Sequence, residues 1–175
     1  MSIKKHQDGK KGEGDMPEGY EVAWPPGCEK LGAGFAFCCG QDVLLLKRSP
    51  KSGNPLTWGL PGGNVDKTDA SFQSAAERES VEEMGRLPEG LTVIKEVTTR
   101  RGKRLQKWYK VIVARISRAV KDSFEPTLNN EHTEYRWVDV KDLHTLQLHP
   151  VVSLLFASTG EFPLEQFQRV MEGAT

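Results

Sequence analysis

The sequence predicts one domain of α/β or α+β class, in which helices pack against a layer of strands. Short apolar segments typical of strands recur between residues 32 and 138. A single early helix interrupts them, and the C-terminal part of the chain is helical in pattern. This mixture of elements is typical of layered folds. With 175 residues, the chain is long enough for one hydrophobic core.

The strand predictions depend on apolar segments bounded by turn residues. GAGFAFCCG (32–40) and DVLLLKRS (42–49) predict two strands joined by a turn at 40–42. Residues 49–55 are predicted to form a loop, and TWGLPGG after it a strand end or a turn. Further strands are predicted at 91–99, 106–117 and 133–138. The segment RRGKR supplies the turn between the strands at 91–99 and 106–117.

Capping residues define the predicted helices. Ser71 is a good N-cap and Gly85 a good C-terminal stop, so a helix is expected from Ser71 to Met84. KDLHTL predicts a short helical turn. Two more helices, at 150–157 and 163–172, each have a proline near the first turn, where its missing N–H does no harm.

Composition excludes several classes of function. Lys+Arg and Asp+Glu both number 24, so any charge-based function must be local. No apolar run approaches the roughly 18 residues of a membrane span, and the N-terminus lacks the apolar core of a secretion signal. Three cysteines favour a reducing, cytoplasmic setting over a disulfide framework. Residues 1–19 are polar and are predicted to form a disordered tail, with residues 20–175 as the domain.

Acidic residues concentrate on one face of the predicted helix. A helix advances about 100° per residue, so Glu79 and Glu83 stack on one face, with Glu82 beside them. Like charges at this spacing repel one another. Hard divalent cations prefer such oxygen ligands, and a solvated acidic face is the alternative interpretation. The preceding glycines, Arg78 and the closing Gly85 favour a metal site, in which Gly62 and Gly63 let the backbone approach the cation.

This segment resembles the signature of the Nudix hydrolase superfamily. The signature is Gly, five residues, Glu, seven residues, Arg-Glu, an apolar residue, any residue, Glu-Glu, any residue, Gly and an apolar residue. Here Gly63 begins it, and REXXEEXG is matched from Arg78 to Gly85. LLLKRS before the segment and EYRWVDVKDL after it also fit. The resemblance covers roughly residues 31–155.

The chain departs from that signature at four positions. It has one extra residue between Gly63 and Arg78, and Asp69 lies at the spacing of the first glutamate. The extra residue is expected in the loop before Ser71, where it leaves the phase of the three glutamates intact but puts the role of Asp69 in doubt. Ser80 and Arg86 replace apolar residues. A buried Ser80 would be tolerated if its hydroxyl bonded to helix carbonyls.

The resemblance implies an α/β/α sandwich with a mixed sheet. It also implies hydrolysis of a diphosphate linkage with Mg²⁺ or Mn²⁺. In this sequence, the metal ligands would be Glu79, Glu82 and Glu83 together with the Gly62 backbone, with Arg78 as the orienting residue. Glu79 or Glu83 could also act on the attacking water. Related enzymes use a further glutamate from a later loop, for which we prefer Glu131 over Glu134, while His132 between them is interpreted as surface.

Substrate contacts are expected from residues around the signature. Arg48 is preferred over Lys47 as a phosphate contact, because neighbours in a strand point to opposite faces. Gly63 allows close backbone approach. Trp58 and Trp108 are candidates for stacking on a base, although each indole could equally belong to the core. The turn at 100–104 is interpreted as solvated, with a phosphate or RNA contact as the alternative.

Three functions therefore compete. The favoured one is a metal-dependent diphosphohydrolase acting on a nucleoside triphosphate, a nucleotide sugar or a dinucleoside polyphosphate. The second is an enzyme acting on the 5′ end of RNA. The third is a non-catalytic nucleotide-binding module, against which the retained pairs Arg78-Glu79 and Glu82-Glu83 argue.

Overall fold

The computed structural model describes residues 17–173. Residues 1–16 of the predicted tail lie outside that range. The strands are β1 (Lys30–Cys39), β2 (Asp42–Arg48), β3 (Trp58–Gly59), β4 (Gly62–Asn64), β5 (Thr92–Arg101), β6 (Lys107–Arg115) and β7 (His132–Asp139). The helices are α1 (Phe72–Met84), α2 (Arg118–Ser123), α3 (Pro150–Phe156) and α4 (Leu164–Glu172), with a 3-10 helix at Val140–Thr145.

The strands form one mixed sheet with β1 near its centre. The order is β3-β2-β1-β6-β5, with β4 also paired to β1 and β7 to β2. β1 and β6 run parallel over nine residue pairs, whereas the other strand pairs are antiparallel. The predicted fold class is therefore confirmed, and the parallel pairing brings the start of β1 next to the turn between β5 and β6.

Helices cover both faces of this sheet because its strands alternate two apolar sets. Phe35 and Phe37 lie in a buried cluster that includes Ala75 and Met84 of α1. Ala36 and Cys38, the intervening side chains of β1, lie in a second cluster with residues of α3 and α4. The two phenylalanine rings stack on each other with centroids 4.6 Å apart and are fully buried. They are core residues, and the sandwich expected from the resemblance is confirmed.

The predicted caps of α1 are both present. The Ser71 hydroxyl accepts a hydrogen bond from the backbone N–H of Ser74 at 3.0 Å. Gly85 ends the helix in the left-handed region, at φ 80°, which glycine adopts without strain. The helix is continuous from Phe72, so the extra residue of the signature lies before it. Helix α2 was not predicted; it is six residues long and is capped by Ser117.

Ser80 of α1 is fully buried, and its hydroxyl makes no hydrogen bond with any residue between 17 and 173. The condition stated for a buried Ser80, a hydrogen bond from its hydroxyl to the helix carbonyls, is therefore not met. An unsatisfied buried hydroxyl costs about 1–3 kcal/mol. It is tolerated here because serine is small enough to fit the face that α1 turns to the core.

Replacing that hydroxyl by hydrogen is expected to stabilise the protein. For Ser80→Ala, we expect the free energy of unfolding to rise by about 1 kcal/mol, measured by urea denaturation. Ser74→Ala is the matched control, because it makes the same change in the same helix but removes a hydroxyl bonded to Ser71. Comparison with this control corrects for the gain in stability that comes from the greater helix propensity of alanine. A lower stability of Ser80→Ala than of this control would contradict the prediction.

No helix within residues 17–173 combines the length and the apolar character needed to cross a membrane.

Candidate active site

A cleft of about 370 Å³ gathers charged side chains of both signs. Its carboxylates come from α1 and from the loop before β7, and three of its cations come from the ends of β1, β5 and β6. The carboxylates that line it are Glu79, Glu82, Glu83 and Glu131, and the cationic side chains are Lys30, Arg48, Arg101 and Lys107. Separate elements thus bring opposite charges into one cavity, and in the described part of the chain none of these cations forms a salt bridge with any of these carboxylates.

The helical phase of α1 presents its three glutamates at different depths. The side chain of Glu83 is 2% exposed, that of Glu79 is 17% exposed and that of Glu82 is 57% exposed. Glu83 is held by the backbone N–H of Gly62, which donates to its Oε2 at 3.2 Å. The three carboxylates therefore form a graded series from the protein interior to the solvent. Their roles as metal ligands remain predictions.

The two glycines before α1 are required by close approach. A Cβ on Gly63 would overlap the carboxylate of Glu79, and one on Gly62 would overlap the hydroxyl of Tyr109. Gly62 also has φ +154°, which side-chain-bearing residues rarely adopt. Both glycines line the cleft. Coordination of a cation by the Gly62 carbonyl remains a prediction.

Arg78 connects the helix to the loop that precedes it. Its Nε and Nη2 donate to the two carboxylate oxygens of Asp69 at 3.0 and 2.9 Å. Nη2 also donates to the Asn64 carbonyl, and Nη1 to Glu79, each at 3.0 Å. A weaker contact of 3.4 Å reaches Glu82. Arg78 thereby restrains the position of the Glu79 carboxylate, although it does not itself line the cleft.

The structure shows what Asp69 binds, which the extra residue in the signature had left in doubt. It is 5% exposed, and its Oδ2 also accepts from the backbone N–H of Asp66 at 2.7 Å. The hydrogen bonds from Arg78 hold the pKa of this carboxyl below its usual range. Asp69 does not line the cleft. The residue at the spacing of the first signature glutamate therefore anchors Arg78.

The two candidates for the late carboxylate occupy different places. Glu131 lies in the loop before β7 and lines the cleft. Glu134 lies within β7, where its Oε2 is 3.4 Å from Nζ of Lys47, and it does not line the cleft. His132 was expected at the surface, and that expectation was wrong. It begins β7, is 5% exposed, and places Nδ1 3.8 Å from Oε2 of Glu83.

Burial dominates the electrostatics of this region. It raises the pKa of Glu83 to about 9, with further contributions from the charges of Glu131 and Glu79. Burial likewise lowers the pKa of His132 to about 4, so its imidazole is neutral. A metal ion binds imidazole in its neutral form and a carboxyl group in its ionised form. The neutral imidazole of His132 is therefore ready to bind a cation, and a bound cation would favour ionisation of Glu83.

These residues fit a divalent cation. Ligand atoms of Glu83, Glu131 and His132 all lie within 4.8 Å of one another. His132 Nδ1 is buried and has no hydrogen-bond partner among residues 17–173. Two atoms that bind one ion at about 2.1 Å each can be at most about 4.2 Å apart, so the 3.8 Å between His132 and Glu83 is compatible with a shared ion.

The predicted substrate contacts divide into two groups. Arg48 lines the cleft and donates through Nε to the Gly53 carbonyl, whereas Lys47 does not line it. Trp58 lies in the core, 5% exposed, beneath the guanidinium of Arg136. Because it does not line the cleft, its proposed stacking on a base is corrected to a packing role.

Trp108 borders the cleft, but its ring belongs mainly to the other side of the sheet. It alternates along β6 with Lys107 and Tyr109 and packs against the core cluster of α1. The guanidinium of Arg100 lies 4.6 Å from its ring centroid and covers one face. These contacts leave Trp108 poorly placed to stack on a base in the cleft.

Sequence reasoning missed several residues of the cleft, namely Lys30, Arg101, Lys107, Tyr109 and His149. Arg101 had a signal in the sequence, because it lies in the basic segment RRGKR, which was interpreted as a solvated turn with a phosphate or RNA contact as the alternative. Tyr109 was noted only as an aromatic residue beside that segment. His149 caps α3, with Nδ1 accepting from the N–H of Val151 at 3.1 Å, and burial lowers its pKa to about 4. The others come from strands whose pairing was not predicted.

Comparisons with known proteins identify the family. The sequence profile described as NUDIX domain matches residues 30–156. A Mycobacterium tuberculosis protein named "Putative 8-oxo-dGTP diphosphatase 3" is 37% identical over 111 residues, which cover 62% of this chain and 49% of that protein. The chain thus spans about half the length of the curated relatives it matches.

Solved structures agree with this assignment. The Nudix hydrolase RenU of M. smegmatis has a TM-score of 0.60 and 26% identity, covering 83% of this chain and 85% of that one. A MutT NUDIX hydrolase of Burkholderia pseudomallei has a TM-score of 0.55 and 26% identity, covering 78% and 96%. The profile match extends over most of the sequence and includes the helix that carries the glutamates. The chain therefore belongs to the Nudix family.

Proposed function

We propose that this protein is a divalent-metal-dependent diphosphohydrolase that cleaves a diphosphate linkage in a nucleotide derivative. The observation that carries the proposal is the charge arrangement of the cleft. Four carboxylates and four cationic side chains share it. None of those cations forms a salt bridge with another residue in the 17–173 range. A cavity of this kind suits a polyanion together with a metal ion.

The chain's own residues would divide the work between metal and phosphate. Glu79, Glu82 and Glu83 would hold Mg²⁺ or Mn²⁺, and Glu131, His132 and the Gly62 carbonyl would lie close to the Glu83 end of that ligand set. When bound, the ion would neutralise diphosphate oxygens and acidify a water. Arg48 would contact a phosphate oxygen. Positioning and charge stabilisation supply most of the catalysis in phosphoryl transfer.

Glu131 is the carboxylate that we assign to take the proton from the attacking water. It is exposed and in a loop, whereas Glu83 is buried and Glu79 is engaged by Arg78. A base must be free to bond the water and to release the proton to solvent. Glu79 and Glu83 then serve as ligands, and Arg78 keeps Glu79 in place without touching the substrate.

The substrate class that we favour is a nucleoside triphosphate or a related nucleoside polyphosphate. A protein that is 37% identical to this chain over 111 residues carries a name referring to 8-oxo-dGTP, a nucleoside triphosphate. The four cationic side chains of the cleft, which have no salt-bridge partner among residues 17–173, agree with a substrate of high negative charge. Nucleotide sugars and dinucleoside polyphosphates are the remaining candidates.

A substrate panel tests the proposal. Product formation with Mg²⁺ is measured by chromatography. The products are phosphate or pyrophosphate from nucleoside triphosphates, a nucleoside monophosphate and a sugar phosphate from nucleotide sugars, and two smaller nucleotides from dinucleoside polyphosphates. For Glu82→Gln, we expect kcat/KM for the preferred substrate to fall at least about 10²-fold, as when a group that stabilises transition-state charge is lost. Glu77→Gln is the matched control, since it makes the same change on α1 outside the cleft. If the wild-type protein forms no product from any substrate, the non-catalytic module is favoured. If Glu82→Gln is as active as Glu77→Gln, Glu82 is not part of the active site.

RNA 5′ ends are a second candidate substrate, favoured by exposed basic residues beside the cleft. Arg100, Lys103 and Arg104 lie at the turn between β5 and β6 and are exposed. If these side chains contact the backbone of a 5′-triphosphorylated oligoribonucleotide, cations condensed on its phosphates are released in addition to those released from the phosphates in the cleft. Its affinity should therefore decrease more steeply with salt than that of a nucleoside triphosphate. Equal slopes would exclude an RNA contact at this turn.

A further inference from the structure

Three cationic side chains lie in one row across three strands of the cleft. Lys30 of β1 is directly opposite Lys107 of β6 in the parallel pairing. Lys107 is in turn directly opposite Arg101 of β5 in the antiparallel pairing. Directly opposed residues project from the same face of a sheet, and all three line the cleft. These residues form what we call the cation row.

The cation row is unfavourable unless an anion lies near it. Like charges directly opposite each other on neighbouring strands destabilise the pairing, and here there are two such pairs. None of the three forms a salt bridge with any residue in the described part of the chain. The nearby acid Glu29 is paired with Arg104 instead. Residues 17–173 therefore concentrate positive charge here without a salt-bridge partner for it.

Arg101, the least exposed member of the row, shows that its charged form is destabilised at this place. Arg101 is half-buried, whereas Lys30 and Lys107 are exposed. Burial lowers the pKa of Arg101, and the charge of Arg48 adds to that effect. An exposed surface arginine would suffer neither penalty. Its position is better explained by a ligand that arrives from solution than by solvation alone.

The cation row is separate from the carboxylates along β1. Gly34 is opposite Gly62, whose N–H binds Glu83, while Lys30 lies four residues earlier. At about 3.3 Å per residue, the two positions are about 13 Å apart along the strand. Between them lie Gly32 and Tyr109, which are opposite each other in the register. The cation row and the site of Glu83 therefore occupy different parts of the same cleft.

We propose that the cation row binds a further phosphate group of the substrate, beyond the diphosphate that the metal site holds. This inference rests on the proposed function and selects among its substrates. A nucleoside polyphosphate with three or more phosphates can occupy both places. A nucleotide sugar has only the two phosphates of the cleaved linkage, and its sugar brings no charge to the row.

Inorganic anions test the row independently of turnover. The wild-type protein and Lys30→Gln/Lys107→Gln are titrated calorimetrically with pyrophosphate and with tripolyphosphate, each with Mg²⁺. Both lysines are exposed, so the fold should tolerate the change. We expect the wild type to prefer tripolyphosphate. In the double variant, the affinity for tripolyphosphate should fall about tenfold or more and that for pyrophosphate less than about threefold, since each tenfold is about 1.4 kcal/mol.

Lys51→Gln/Lys103→Gln is the matched control. It makes the same change of net charge at two exposed lysines that do not line the cleft. If the test variant loses only general electrostatic attraction, its affinities for pyrophosphate and tripolyphosphate should fall by the same factor, and the control should show the same losses. Arg101→Gln, alone, should reproduce the selective loss of tripolyphosphate binding.

The outcomes separate this inference from the proposed function. Suppose that the wild-type protein binds pyrophosphate and hydrolyses nucleotides, but that the double variant loses affinity for both anions equally or for neither. Only the phosphate-binding role of the cation row is then disproved. If the wild-type protein binds neither anion with Mg²⁺ and hydrolyses no nucleotide, the proposed function and the cation row are both overturned.

Discussion

Glu83→Gln is expected to lower kcat/KM by about 10³-fold in Mg²⁺ and to stabilise the metal-free protein. The activity falls because the carboxylate at the base of the cleft can no longer supply a charged oxygen to the ion. The fold should survive, because glutamine has the same shape and its carbonyl oxygen can still accept from the Gly62 N–H. Loss of activity and gain of stability in one variant would identify a functional carboxylate.

The stability gain follows from the pKa of Glu83. Burial raises that pKa to about 9 in the folded protein, from the model-peptide value of 4.5. Between these values the folded state binds one more proton than the unfolded chain. The stability of the metal-free protein therefore decreases as pH rises from about 4.5 to 9, by up to about 1.4 kcal/mol per pH unit. Glutamine carries no such proton, so the variant should lose this pH dependence.

Thermal unfolding in EDTA across pH 5 to 9, and again in Mg²⁺, measures both effects. For a chain of this length, each kcal/mol changes Tm by about 2–4 °C. Mg²⁺ should raise the Tm of the wild-type protein and have little effect on Glu83→Gln. Glu77→Gln, on the same helix but outside the cleft, should behave like the wild type in both respects. If Glu83→Gln keeps full activity and its Tm changes with pH as that of the wild type does, Glu83 is not part of the site.

Local rules explain why the helix and its glutamates could be predicted from sequence. Capping by Ser71 and Gly85 depends on residues within a few positions, and the phase of Glu79 and Glu83 follows from helical geometry alone. The hairpin of β1 and β2 has the same local character, with its turn at Gly40. The main features of α1 therefore needed no knowledge of the remaining chain.

Long-range pairing explains what the sequence did not reveal. Lys30 and Lys107 are 77 positions apart, and only the parallel pairing of β1 with β6 places them side by side. His132 was assigned to the surface because its burial depends on the packing of β7 behind Glu83. Similarly, a short loop with an extra residue has no fixed geometry, so the partner of Asp69 could not be derived. Residues that converge from distant segments require the fold first.

Arg78→Lys is expected to lower kcat/KM by about 10- to 100-fold and to destabilise the protein by about 1–3 kcal/mol. Lysine keeps the charge but cannot donate two parallel hydrogen bonds to Asp69 while also reaching Glu79 and the Asn64 carbonyl. The helix would then be less firmly fixed to the glycine loop, and the Glu79 carboxylate would be less well positioned. Weaker binding of Mn²⁺, measured by titration, should accompany the loss of activity.

Asp69→Asn should reproduce most of this effect from outside the cleft. Asparagine keeps the size of the side chain but removes the charge that binds Arg78, so the arginine loses its restraint. Because the pKa of Asp69 is lowered on folding, the pair contributes its full stability above about pH 3.8 and loses it as the pH falls through the lower folded value. The single variants should therefore differ least from the wild type in acid.

A double-mutant cycle decides whether the two residues act as one unit. If Asp69 acts through Arg78, the double variant Asp69→Asn/Arg78→Lys should be little worse than either single variant in both stability and kcat/KM, with a coupling of about 1–2 kcal/mol. Additive losses would mean that the two side chains act separately. If Asp69→Asn keeps full activity and normal Mn²⁺ affinity, the ion pair between Asp69 and Arg78 is not needed to position Glu79. The hydrogen bond from Arg78 to Glu79 would then be sufficient by itself.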